Sequence, residues 1–364
     1  MTKTNKKKSY FPSFLIITYL LISIGLLFIS VSSLSEAQIN FNDKFYYIKK
    51  QLFWVFIGSI SLIVASKINL NFIKKYSFYL FLISLFTLIL VLIPGMGNTI
   101  LGARRWLSLG LFSFQPSESF KLVAIIYFSF LFSQANKQNL KSLLISLGPA
   151  LVLIILEPNL STAVLIASIV LTIYYLAGGE IISLMITCLI GVLLSILLIF
   201  VSPYRQARLN TLINPQNDTL TSSYHSNQIV LGLASGGIFG KGFGNSIQKY
   251  QFLPQLTTDS ILAIIGEELG FFGLTIIISL YIFLIYSIFK ISRQSKNTAH
   301  QLIVAGIAAW ISYQSLINIS AIANVIPLTG VPLPFISYGG SSLLMLLTGI
   351  GLVNNIHKHN QSSK

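Results

Sequence analysis

Apolar residues recur along the whole 364-residue chain in long runs, broken by short polar segments. Ten runs fall at 11–34, 50–66, 76–94, 117–134, 142–157, 160–178, 181–201, 259–289, 300–324 and 334–356. A helix needs roughly 17–25 such residues to cross a ~30 Å hydrocarbon core. The pattern therefore predicts an all-α protein, a polytopic transmembrane bundle of about ten helices. Only Glu157-Pro158-Asn159 separates the fifth run from the sixth, which predicts a tight membrane hairpin. The eighth run is long and polar at its start, which predicts a tilted or broken helix. Between helices 7 and 8, residues 202–258 form a large connection rich in Asn, Gln, Ser, Gly and Tyr. Connections of that length are uncommon unless functional or disordered. The layout is an N-terminal tail (1–10), one transmembrane domain (11–356) containing the 202–258 loop, and a C-terminal tail (357–364).

Composition strengthens this reading. Hydrophobic residues make up 54% of the chain and charged residues 9%, against about 25% charged in soluble domains. The single Cys188 excludes an intrachain disulfide. Lys6, Lys7 and Lys8 precede an apolar stretch, as in a secretory signal. That stretch is too long for an ordinary signal core, and more spans follow, so a signal-anchor is expected.

Charge gives a direction. With the N-terminus in the cytoplasm, fourteen of the 24 basic residues fall on cytoplasmic segments, opposed by Glu180 alone. This is the positive-inside bias. Ten spans then place both termini in the cytoplasm and the 202–258 loop outside. The net charge of +15 reads as a topology signal. Nucleic-acid binding is disfavoured, because the basic residues are divided between the two faces.

Nine basic residues remain outside, and four are paired arginines: Arg104 with Arg105, and Arg205 with Arg208. Guanidinium forks suit phosphate groups. Snorkelling to lipid headgroups is the alternative. Glu118 and Lys121 lie at i and i+3 on the fourth span and can form a structural ion pair. Glu267 and Glu268 lie two turns into the eighth, where acids are costly without a partner. Their role, catalytic or structural, is open at this stage. Asp259 opens the eighth span at its outer end. It, or Thr258, can serve as a helix N-cap. Alternatively, Asp259 is a carboxylate at the membrane boundary that can act as a general base once partial burial raises its pKa.

Several segments, in order, carry a resemblance. They are Gly102-Ala103-Arg104-Arg105-Trp106-Leu107, Phe114-Gln115-Pro116-Ser117-Glu118, Tyr204-Arg205-Gln206-Ala207-Arg208, and Gly240-Lys241-Gly242-Phe243-Gly244-Asn245-Ser246-Ile247-Gln248-Lys249. Phe252-Leu253-Pro254, Ile265-Gly266-Glu267-Glu268-Leu269-Gly270 and Pro334-Phe335-Ile336-Ser337-Tyr338-Gly339-Gly340-Ser341-Ser342 follow. Together they resemble the SEDS family (shape, elongation, division and sporulation) of peptidoglycan glycosyltransferases, from the first span to the last. Gly-Ala-Arg-Arg-Trp and Gly-Asn-Ser-Ile-Gln-Lys favour its FtsW-like branch.

The resemblance implies polymerisation of lipid II, an undecaprenyl-pyrophosphate-linked substrate, at the outer face of the cytoplasmic (inner) membrane, in septal wall synthesis during cell division. It implies Asp259 as the catalytic base. It implies substrate contacts at Arg104, Arg105, Arg205, Arg208, Gln228, Lys241, Lys249 and Ser337. A divalent cation, Mg or Mn, is compatible with the chemistry, although the four His are scattered and form no metal motif. Implied partners are a class B penicillin-binding protein transpeptidase, other divisome membrane proteins and membrane lipids. The chain departs from the family pattern at several points. The usual Leu-Pro-Glu-x-His-Thr-Asp-Phe is Leu253-Pro254-Gln255-Leu256-Thr257-Thr258-Asp259-Ser260 here. Tyr-Gln-x-x-Gln is Tyr224-His225-Ser226-Asn227-Gln228, and Pro-Asp-Leu-Gly-Thr is Pro158-Asn159-Leu160-Ser161-Thr162. A lipid II flippase and a weakly catalytic division scaffold remain the alternative functions.

Overall fold

The computed structural model describes residues 12–100, 103–109, 112–134, 139–213, 222–249 and 257–362. The whole 1–10 tail and the stretch Phe252-Leu253-Pro254-Gln255-Leu256 lie outside the described residues. Each of the ten apolar runs contains a long helix: α1 (Ser13–Ser32), α3 (Tyr46–Ala65), α4 (Leu70–Leu92), α5 (Pro116–Phe132) and α6 (Leu140–Leu156). The others are α7 (Leu160–Leu176), α8 (Ile181–Val201), α11 (Ile261–Arg293), α12 (Thr298–Ile322) and α13 (Gly340–Ser362). Six of them, α1, α3, α4, α8, α11 and α12, are long and apolar enough to cross a membrane by length and composition. The protein is a multi-pass helical membrane protein.

Helix starts follow side-chain caps. Asn69 accepts a bond from the Asn71 amide at 2.9 Å, so α4 begins before the apolar run does. Asn139, Asn159 and Asn297 cap α6, α7 and α12 in the same way. Each satisfies an amide that the first helical turn leaves without a partner. At the other end of the chain, α13 starts at Gly340 and continues to Ser362, so residues 357–362 are helical.

The eighth run breaks where the chain passes Gly270. Its φ of 66° and ψ of −166° interrupt α11. A Cβ at Gly270 would sit 2.3 Å from the Gly240 amide nitrogen. Only glycine tolerates both the backbone angles and that approach.

Apolar periodicity alone did not anticipate three short helices and a sheet. The helices are α2 (Leu34–Phe41), α9 (Pro203–Ile213) and α10 (Ser222–Gly236), the last two within the long loop. The sheet is a three-stranded antiparallel meander of β1 (Gly97–Ile100), β2 (Ala103–Leu109) and β3 (Phe112–Phe114), with Leu107 opposite both Gly97 and Phe114. It packs beside α4 and α5 at the loop end of the bundle.

The core is built on α5, α7, α11, α12 and α13, where Trp310, Phe120, Phe128 and Tyr174 are fully enclosed. By contrast, α8 has no buried residue and is apolar on every side, as suits a helix surrounded by lipid. Inside the core, Lys121 Nζ pairs with Glu118 Oε1 at 2.8 Å and with Gln314 Oε1 at 3.0 Å. The ammonium also lies 5.2 Å from the Trp310 ring centroid. Trp310 Nε1 donates to the same Gln314 oxygen, and Gln314 Nε2 donates to the Pro332 carbonyl. This network joins α5, α12 and the segment leading to α13. Removing one partner of such a buried pair typically costs about 3–5 kcal/mol.

Candidate active site

The turn 257–260 carries Asp259 between the long loop and α11. It is held from the bundle side. Asn318 Nδ2 on α12 donates to the Asp259 carbonyl at 3.2 Å and to the Val331 carbonyl at 2.8 Å, and the Tyr338 amide donates to the Thr257 carbonyl at 2.8 Å. The N-cap of α11 is Ser260, with no side-chain cap bond. Asp259 is therefore not the cap; it stands just ahead of the positive end of the helix dipole. The main chain closes on it at Gly330, where a Cβ would be 3.6 Å from Asp259 Oδ2. Burial pushes the Asp259 carboxyl up from 3.8 to about 6, and Arg208 and Arg105 pull the other way. A carboxylate with that pKa is ionised at neutral pH and still basic enough to accept a proton.

The arginines converge from separate elements. Arg105 on β2 donates through Nε to the Glu157 carbonyl at 3.1 Å and through Nη2 to the Pro158 carbonyl at 2.5 Å. Arg208 on α9 donates to the Leu328 carbonyl at 2.7 Å. Arg205, one turn earlier, donates to the Leu198 carbonyl at 3.0 Å. All three line one cavity of about 210 Å³, bounded by the 158–161 hairpin and by residues 326–329. Among the described residues its lining holds three guanidinium groups and no carboxylate. The donor set suits an anion rather than a divalent cation. Among the described residues, no group of three or more His, Cys, Asp or Glu side chains could hold a metal ion. Arg104 is exposed and does not line the cavity.

Sequence reasoning treated Glu157 only as a hairpin residue. Its carboxyl is fully buried beside Arg105, and neither oxygen has a hydrogen-bond partner among the described residues. Burial raises its pKa to about 8, against the pull of Arg105. Glu157 is thus held largely protonated at pH 7 and leaves most of the charge of Arg105 uncancelled. Nothing in the sequence showed that tertiary packing would enclose this acid.

Glu267 and Glu268 do different work from Asp259. Glu267 accepts from Lys241 Nζ at 2.7 Å, from Ser246 Oγ at 2.5 Å and from the amides of Ile247 and Gln248. Glu268 accepts from the amides of Gly244 and Ser246, and Lys249 Nζ lies 4.0 Å away. Lys249 also donates to the Gly244 carbonyl. The two acids therefore clasp the 241–249 segment onto α11. This turns Lys241 and Lys249, read from the sequence as substrate contacts, into internal counter-ions of buried acids. Ser337 is likewise buried and accepts from the Leu333 amide at 2.9 Å, which shapes the turn before α13. Gln228 is half-buried on α10 and is not in the cavity lining.

The cell cycle protein family of FtsW, RodA and SpoVE matches residues 12–362. A probable peptidoglycan glycosyltransferase FtsW of Coxiella burnetii is 38% identical, over 96% of each chain. The stage V sporulation protein E of Bacillus subtilis is 35% identical, over 98% of this chain and 100% of its own. Among solved structures, a chain of a peptidoglycan synthase complex that coordinates polymerization and crosslinking superposes with a TM-score of 0.80 at 22% identity, covering 97% of this chain and 99% of that one. The rod shape determining protein RodA of Thermus thermophilus superposes at 0.73 with 21% identity, covering 97% and 98%. The last two likenesses establish the fold. The match of the family over nearly the whole chain, with relatives above 30% identity, establishes more: the chain belongs to the FtsW, RodA and SpoVE family of cell cycle proteins.

Proposed function

We propose that the protein is a peptidoglycan glycosyltransferase that polymerises lipid II at the outer face of the cytoplasmic membrane, in septal wall synthesis. One observation carries the reading: a half-buried carboxylate, its pKa pushed up to about 6, stands within electrostatic reach of two of the arginines that line a cavity. Glycosyl transfer from a pyrophosphate-linked donor needs both. Asp259 accepts the proton of the acceptor hydroxyl as that oxygen bonds to the donor's anomeric carbon. The bond from that carbon to the pyrophosphate breaks, and undecaprenyl pyrophosphate leaves with the electron pair. Arg105, Arg205 and Arg208 hold the charge that develops on the leaving group. A Mg or Mn ion would arrive with the pyrophosphate, since the described lining residues offer it no carboxylate.

In this reading both termini are cytoplasmic, and the 202–258 loop is outside. The partner is a class B penicillin-binding protein that cross-links the new strand; the likeness to a chain of a peptidoglycan synthase complex supports it. A flippase would need charges free to line a path near the midplane. The candidate acids Glu267 and Glu268 are instead engaged in the loop clasp. The test is reconstitution of the full chain with lipid II and its transpeptidase. Polymer from the parent and none from Asp259→Ala supports the proposal. Lipid II translocation that survives Asp259→Ala, without polymer from the parent, overturns it.

A further inference from the structure

The loop helix α10 lies against α11. Its inner face is anchored by Ile229, 1% exposed, and by Ser226. One turn before Ile229, His225 Nε2 lies 2.8 Å from Ser260 Oγ. Ser260 is fully buried, directly follows Asp259, and has no capping bond of its own to make. Asn318 and Tyr338 fix the 257–260 turn from the bundle side. The His225 contact fixes it from the loop side.

We infer that His225 is a positioning residue for Asp259, acting through Ser260 to hold the base's turn in register with the arginine cavity. The inference rests on the reading of Asp259 as the base. Its physical content is orientation: a general base must stay within hydrogen-bond reach of the proton it takes, and small displacements of a catalytic group cost up to about 100-fold. The imidazole suits this task because it adds no charge. Burial, reinforced by Arg208 of α9, lowers the His225 pKa to about 4, so the ring is neutral in the working range. An imidazolium at that place would add a third cation to Arg208 and Arg105 and depress the pKa of Asp259. The two residues are also departures from the family pattern that meet each other: 225 stands where that pattern has Gln, and 260 where it has Phe.

The experiment uses the full-length chain in liposomes with lipid II and its transpeptidase, measuring kcat, KM and the pH profile, with thermal melting recorded in parallel. His225→Ala and Ser260→Ala are each expected to lower kcat about 10- to 100-fold, with little change in KM. The double variant should be no worse than either single, because both remove one link. His225→Gln, neutral and able to hydrogen-bond, should restore most of the rate. Parental kcat in both alanine variants, while Asp259→Asn is inactive, overturns the inference and leaves the base assignment standing. So do additive losses that track a falling melting temperature, or a His225→Gln no better than His225→Ala. Polymerisation that survives Asp259→Asn overturns the base assignment itself, and the inference with it.

Discussion

At the scale of single residues, the site is a contest between burial and nearby cations. Burial raises the Asp259 carboxyl to about 6 although Arg208 and Arg105 oppose it. The base must be ionised, so polymerisation should fall as pH drops through about 6. Arg208→Ala removes a cation that favours the carboxylate, and it should move this acid limb to higher pH while weakening leaving-group stabilisation. A pH–rate profile of both proteins checks the direction. Glu157 makes a separate prediction about stability. Its folded pKa is raised from 4.5 to about 8, so the folded state binds a proton that the unfolded chain has lost. Stability from this group is full below about pH 4.5 and declines as pH rises toward 8. Glu157→Gln should remove that slope, which melting in detergent at pH 5 and at pH 8 can read. The arginine pairs were legible in the sequence because positive charge on the outer side opposed the topology bias, and Asp259 because it opens the eighth run at its outer end. Glu157 and the His225–Ser260 contact were not, since each depends on parts of the chain that only packing brings together.

At the scale of elements, hydropathy located all ten long helices, because lipid forces the backbone to satisfy itself within each span. The strands at 97–100, 103–109 and 112–114 escaped, since segments this short leave no clear period-two pattern. Also missed were the short helices α2, α9 and α10; α9 packs on α8 and α10, and α10 on α11. The break in α11 was foreseen, but at the polar start of the run; it falls instead at Gly270, where the 240–249 segment crosses close by. Gly270→Ala should therefore destabilise the fold by more than the ~1–3 kcal/mol typical of a strained backbone position, because its Cβ would also meet the Gly240 amide. A melting point close to the parent's would show that α11 and the clasp can shift without cost.

At the scale of the whole molecule, the bundle gathers its chemistry at one end. Arg105 of the sheet, the 158–161 hairpin and α9 line the cavity, and Asp259 in the 257–260 turn lies within electrostatic reach of its Arg105 and Arg208. Charge distribution predicts that this end faces outward. In a Cys188→Ser background, Asn245→Cys on the exposed loop should react with an impermeant maleimide in intact cells, and Asn360→Cys on α13 only after lysis. The reverse pattern would invert the topology and put the site on the wrong side for wall synthesis. The most direct measurement is lipid II polymerisation by liposomes holding the full chain and its transpeptidase, parent against Asp259→Asn. The account predicts glycan strands from the parent and a loss of at least about 100-fold in the variant, with its melting temperature unchanged. Polymer formed by Asp259→Asn at the parental rate would contradict it.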